Sequence, residues 1–203
     1  RSMASNKDQK DNKNRKYLML DSRGDAIARG ILERVTDGEL WRLRVTEGTA
    51  DEVMGHNNIS LVGDAENSPA LEGRIVRREG DVVFVEPVRQ LEESVRQNLR
   101  IPVRFVTYLY AVSGSWKGRV PIVTNDLSCG GLAFFCPRKL EVGEIVEGVI
   151  TVTSQPLVLT MRILHTRPGH TEGDFYAGAF VDLVREEESM VREAVFSIQL
   201  QKN

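Results

Sequence analysis

From Tyr17 to Leu183 the chain is a succession of short apolar runs separated by turn residues, a pattern that leaves little room for helices of ordinary length. Runs of this size, rich in β-branched, aliphatic and aromatic residues and bounded by Gly, Pro, Asn or Asp, read as strands of an all-β fold. The two-residue alternation is clearest in Leu40-Trp41-Arg42-Leu43-Arg44-Val45. There Trp41 and Leu43 face one side and Arg42 and Arg44 the other, as on a half-buried strand.

The runs fall into two series. The first comprises Tyr17–Leu20, Ala26–Val35, Leu40–Val45, Ile59–Val62, Leu71–Arg77 and Val82–Val85, with hairpin turns expected at Asp37-Gly38 and Glu79-Gly80-Asp81. Ala50 to Asn57 reads as at most a helical turn, because Gly55 and paired asparagines interrupt it. Pro87 cannot donate within a strand ladder, so the first sheet is expected to end there. The second series comprises Ile101–Tyr110, Trp116–Val123, Leu132–Cys136, Ile145–Ile150, Leu157–His165 and Phe175–Leu183. Between Glu186 and Gln199 the period changes, and Met190, Val191, Ala194, Val195 and Ile198 form one apolar stripe of a helix expected to pack on the second barrel. The expected architecture is mainly β: two small β-barrel domains in tandem, the second closed by a C-terminal helix. Its boundaries are a flexible polar tail over 1–16, a first barrel over 17–87, a charged linker over 88–95 and a second domain over 96–203. The tail is assigned because Arg1 to Lys16 is too polar to offset the entropy of ordering.

Charge narrows the function. With a formal net charge of -2 the chain has no general attraction for DNA or anionic lipid, so any nucleotide site must be local. The apolar runs are all shorter than the about 20 residues that span a bilayer, and the opening segment has no signal-peptide core, so a cytoplasmic protein is expected. Cys129 and Cys136 lack C-x-x-C spacing and nearby paired histidines, which argues against a metal site. His56, His165 and His170 are scattered, and Ser128 has no histidine at a spacing that recommends a general base. With no phosphate-loop or nucleophile-elbow pattern either, no catalytic residues, no cofactor and no enzyme activity are expected.

Two motifs stand apart from this background. Arg96-Gln97-Asn98-Leu99-Arg100 reads R-x-x-x-R, and Asp126-Leu127-Ser128-Cys129-Gly130-Gly131 reads D-x-S-x-x-G. Residues four apart share a side in a helix, a tight loop or an extended strand, so either geometry converges Arg96 and Arg100. An arginine fork can donate to O6 and N7 of guanine, stack on a base, or hold a phosphate with two parallel bonds. Asp126 offers two acceptors for the N1-H and N2-H₂ donors of guanine, and Ser128 can donate to a phosphate or accept from the base. Gly130 and Gly131 are expected to permit positive φ and a close ligand approach. Each motif has a plainer reading too: a solvated basic face for the first, and a turn with Asp126 and Ser128 capping backbone amides for the second.

Taken together, in this order and spacing, the motifs resemble the signature of the PilZ domain, the bacterial receptor module for cyclic di-GMP. The resemblance extends over roughly Ser94 to Lys202, including Tyr176-Ala177-Gly178-Ala179-Phe180, which is similar to the family's late strand, and the closing helix. It implies a cyclic di-GMP site made by Val95, Arg96, Arg100, Asp126, Ser128, Gly130, Gly131 and Gly178. It also implies a PilZ-like second barrel. Many relatives carry a further arginine where this chain has Val95, which implies one nucleotide per chain rather than a stacked pair. The N-terminal unit resembles the β domain that precedes PilZ in flagellar-brake-type proteins, where Arg74, Arg77 and Arg78 could face the ligand. The function so implied is a receptor whose domains rearrange on binding to regulate a protein partner, such as a flagellar motor or synthase component, in motility, biofilm or polysaccharide output. The alternative is a PilZ-like interaction module without nucleotide. An RNA-binding barrel is disfavoured by the acidic balance and the lack of an evident stacking platform.

Overall fold

The computed structural model describes residues 15–35, 40–64, 68, 70–198 and 200. Residues 1–14 of the expected tail and the expected Asp37-Gly38 turn lie outside the described residues. The chain divides into two compact units, one ending at Leu99 and the other beginning at Arg100.

The first unit is a closed antiparallel barrel of six strands: β1 (Arg15–Leu20), β2 (Ala26–Val35), β3 (Trp41–Glu47), β4 (Asn58–Gly63), β5 (Leu71–Glu79) and β6 (Val82–Gln90). Their order around the barrel is β1-β2-β3-β6-β5-β4, with β1 also pairing β4. Closure removes the exposed edges that an open sheet of this size would present. The alternating residues Tyr17 and Met19, Leu43 and Val45, Ile59 and Leu61, and Val83 and Val85 form the buried core. Gly80 has φ of 60° and allows the tight turn between β5 and β6. The weak helical stretch is a short helix, α1 (Ala50–Met54), capped by Thr49, whose Oγ1 accepts from Glu52 N–H at 3.1 Å.

Two expectations for this unit need correction. Arg15 and Lys16 are the first residues of β1, paired with Leu32 and Ile31, because the ladder with β2 continues past the apolar run. Pro87 does not end the sheet either. It pairs with Gly73 inside β6, and the strand runs on to Gln90 opposite Leu71. The register shifts between Glu72 and Gly73, so a proline without an N–H sits next to a bulge, where a ladder tolerates it.

The second unit has seven strands: β7 (Ile101–Pro102), β8 (Val106–Ala111), β9 (Arg119–Leu127), β10 (Gly131–Cys136), β11 (Ile145–Ile150), β12 (Leu157–His170) and β13 (Gly173–Phe180). Six of them form the order β10-β13-β12-β11-β8-β9, closed by the pairing of β9 with β10, while β7 adds to the outer side of β9. The expected strand Ile101–Tyr110 is therefore two strands. Thr124 Oγ1 bridges the break: it donates to Val103 O at 2.7 Å and accepts from Phe105 N–H at 2.9 Å. Inside, Phe134 and Tyr176 stack with centroids 5.9 Å apart, and Leu109, Met161 and Ile163 are fully buried around the same interior. The Tyr176 hydroxyl accepts from Leu140 N–H at 2.9 Å, and burial raises its pKa. The closing helix, α3 (Arg185–Ser197), buries Val191, Ala194, Val195 and also Phe196, which the stripe had not included. Three of its acidic residues, Glu186 to Glu188, occupy the first turn, where they favour the helix dipole.

Candidate functional site

The D-x-S-x-x-G motif begins on a strand rather than on a turn. Asp126 and Leu127 close β9, and each pairs on both sides: Leu127 with Ile101 and Leu132, Asp126 with Pro102 and Ala133. This double flanking extends β9 past the expected end at Val123. Ile101 and Leu127 are both 0% exposed, so they point inward. By alternation Asp126 and Ser128 point outward. Arg100 immediately precedes β7, whose Ile101 and Pro102 pair with Leu127 and Asp126. Arg100 is exposed, and its side chain has no hydrogen bond or ion pair among the described residues.

Asp126 and Ser128 form the polar end of β9, next to the start of β7. Asp126 Oδ2 accepts from Asn125 Nδ2 at 2.7 Å, which leaves Oδ1 available as an acceptor. The backbone N–H of Ser128 donates to Gly131 O at 2.9 Å, and its hydroxyl leans on the same carbonyl at 3.3 Å. Ser128 therefore closes the turn by donating to a carbonyl, not by capping an amide, and its oxygen lone pairs remain outward. An exposed guanidinium, a carboxylate oxygen and a hydroxyl supply the donor and acceptor types that a guanine with a phosphate needs.

The glycines act differently from expectation. Neither Gly130 nor Gly131 has positive φ. Gly131 is required by close approach: a Cβ there would lie 2.1 Å from the carbonyl oxygen of Gly178 on β13. Gly130 O accepts from Phe180 N–H at 2.9 Å, which ties the turn to the same strand. Gly178 itself is buried, in the inward alternation of Tyr176, and a Cβ there would touch Met161 at 3.4 Å. Its place is under the interior packing, and only its backbone is near the turn.

Val95 and Arg96 come before the division between the units. Both belong to the first unit, on the one-turn helix α2 (Ser94–Gln97). Arg96 is 3% exposed, and its Nη2 donates to Ser68 O at 2.5 Å and Gly63 O at 3.1 Å, with Nη1 on Glu93 Oε1 at 3.1 Å. The two motif arginines thus fall on opposite sides of the division between units, a split that a four-residue spacing does not reveal. Arg74, Arg77 and Arg78 pair with Glu86, Glu79 and Asp51, as a solvated strand face would.

The cysteines carry no disulfide. Burial pushes the Cys136 thiol up to about 11, while Cys129 lies half-buried in the motif turn. Among the described residues no group of His, Cys, Asp and Glu side chains could hold a metal, and no helix is long and apolar enough to cross a membrane.

The PilZ domain family matches residues 94–197, about half of the chain and the whole of both motifs. The chain belongs to the PilZ domain family. No curated protein matches this PilZ chain. Among solved structures it is similar to the Bacillus subtilis inhibitor of motility MotI/DgrA, at 8% identity, covering 90% of this chain and 94% of that one, with a TM-score of 0.42. It is similar also to the PilZ domain of CeSA from a cellulose-synthesizing bacterium, at 28% identity over 48% of this chain and 94% of that one, with a TM-score of 0.38. A third is Escherichia coli YcgR in complex with c-di-GMP, at 12% identity, covering 93% and 86%, with a TM-score of 0.37.

Proposed function

We propose that this PilZ protein is a cytoplasmic cyclic di-GMP receptor. The observation that supports the reading is the pairing of Pro102 with Asp126, which sets the start of β7, just after Arg100, beside the D-x-S-x-x-G motif. Arg100 donates to a guanine edge or a phosphate, Asp126 Oδ1 accepts from the guanine N–H donors, Ser128 accepts from the base or turns to a phosphate, and the Gly130-Gly131 backbone lines the approach. Arg96 joins only by exchanging the carbonyls of Gly63 and Ser68 for the nucleotide. That exchange frees the segment around α2 and so couples the ligand to the arrangement of the two units.

The hinge in this reading is the chain from Leu91 to Leu99, after the end of β6. A ligand that favours one arrangement shifts the population by its difference in affinity, with no chemistry needed. The output is regulation of a protein partner, of the flagellar-motor or polysaccharide-synthase kind. With Val95 in place of a further cation, one nucleotide binds per chain. The burial of Arg96 favours a second reading, an interaction module that takes no nucleotide.

Equilibrium binding of cyclic di-GMP against cyclic di-AMP separates the two. Adenine lacks the O6 acceptor and the N1-H and N2-H₂ donors, so it leaves Arg100 and Asp126 unpaired and binds far more weakly. Equal affinity for both, or none for either, removes the guanine-recognition reading. Small-angle scattering with and without the ligand tests the hinge, which an unchanged envelope rules out.

A further inference from the structure

The outward face beside the motif carries a second feature that the sequence motifs do not contain. On β12, Arg167 is the register partner of Phe175 on β13, and Phe175 is the partner of Phe135 on β10. The guanidinium of Arg167 lies 4.0 Å from the centroid of the Phe175 ring. Phe135 meets the same ring edge-on at 5.6 Å, and His165 lies tilted to it at 6.3 Å. By alternation with Phe134 and Tyr176, which fill the interior, Phe135 and Phe175 face outward, and Phe175 is 6% exposed beneath its neighbours. Arg167 is exposed, and unlike Arg74, Arg77 and Arg78 it has no carboxylate partner and no side-chain hydrogen bond among the described residues. An exposed planar cation over an aromatic ring is a stacking surface for a purine.

Its position relates it to Asp126. Asp126, Ala133, Ala177 and His165 form one continuous row of register partners across β9, β10, β13 and β12. Phe135 lies two residues along β10 from Ala133, so the aromatic ledge begins a diagonal neighbour away from Asp126, about 7–8 Å between backbones. The intervening residues of the row are alanines, Ala133 buried and Ala177 half-buried.

We propose that Arg167, held on Phe175, is a second guanine contact: with one base of the dinucleotide at Asp126, the other stacks on the Arg167 guanidinium. The proposal rests on the nucleotide reading above and assigns the base that the motif residues leave unheld. The role requires planarity as well as charge, so lysine does not replace it.

The test is calorimetric titration of the full chain, and of its Arg167→Lys, Arg167→Ala and Asp126→Ala variants, with cyclic di-GMP and with guanosine monophosphate. Both Arg167 variants are expected to bind cyclic di-GMP about tenfold more weakly, within the range for loss of a stacked base. They are expected to bind the mononucleotide as the unsubstituted chain does. The melting temperature of Arg167→Lys should be unchanged, since the lysine stem still covers Phe175. Undiminished cyclic di-GMP binding by Arg167→Lys overturns the proposal, and so does an equal loss for both ligands. Binding that falls in Asp126→Ala but not in the Arg167 variants overturns this contact alone, whereas no binding by the unsubstituted chain overturns the nucleotide reading and this contact with it.

Discussion

Arg96 Nη2 donates to the carbonyl of Ser68 at 2.5 Å, which makes the first arginine of the R-x-x-x-R motif a tie within the N-terminal barrel. The same nitrogen also reaches Gly63 O, at the end of β4, so one guanidinium holds α2 against two separate points of the first unit. Arg100, four residues on, has no such engagement.

The two arginines should therefore separate in stability. Arg96→Ala leaves two carbonyls without their charged donor and should lower the unfolding free energy by about 2–3 kcal/mol, the range for a buried bond to a charged group. Arg100→Ala, at an exposed position, should stay within about 0.5 kcal/mol of the unsubstituted protein. Urea unfolding of both variants checks this, and equal midpoints would contradict the buried role of Arg96.

Binding should separate them in the other direction. Arg100→Ala should cost about 1–3 kcal/mol of cyclic di-GMP affinity, the range for a good bidentate contact to a base. A fold that melts normally and binds normally without Arg100 would remove it from the site.

Gly131 tests the turn itself. A methyl group at this position would lie 2.1 Å from Gly178 O, so Gly131→Ala must push β10 and β13 apart. A loss of about 1–3 kcal/mol is expected, as for other overpacked sites. Gly178→Ala meets Met161 Cβ and Sδ at 3.4 Å and Leu132 O at 3.6 Å, ordinary van der Waals contacts, and should cost less. The reverse order in thermal melts would contradict the close-approach account.

The cysteines should differ in reactivity. Burial holds the Cys136 thiol up at about 11, so it stays protonated at neutral pH and should resist alkylation in the folded protein. Because its folded pKa is raised from 9.0, its contribution to stability is full below about pH 9 and is lost as pH rises through 11. Mass spectrometry after brief iodoacetamide treatment at pH 8 should find the label on Cys129 ahead of Cys136.

Much of the fold was legible because period-two patterns and turn residues are local signals. Ala26–Val35 matches β2 end for end, and the turn at Gly80 lies where Glu79-Gly80-Asp81 puts it. The strand β7, two residues long, has no period to read, and without it the extension of β9 through Asp126 could not be foreseen. The motif residues were visible, but their grouping was not. Whether Arg96 meets a ligand or a carbonyl depends on Gly63 and Ser68, about thirty residues earlier, and no spacing rule reaches that far. The Phe135, Phe175 and Arg167 contacts are likewise cross-strand, readable only once the register of β10, β13 and β12 is known.

Calorimetric titration of cyclic di-GMP into the unsubstituted chain and into Asp126→Ala tests the central claim most directly. The account predicts saturable binding with one nucleotide per chain, lost or weakened by about 1–3 kcal/mol in Asp126→Ala while the variant keeps its circular dichroism spectrum. Two nucleotides per chain would contradict the argument from Val95, and an Asp126→Ala variant that binds as tightly as the unsubstituted chain, or an unsubstituted chain that gives no binding heat, would contradict the receptor itself.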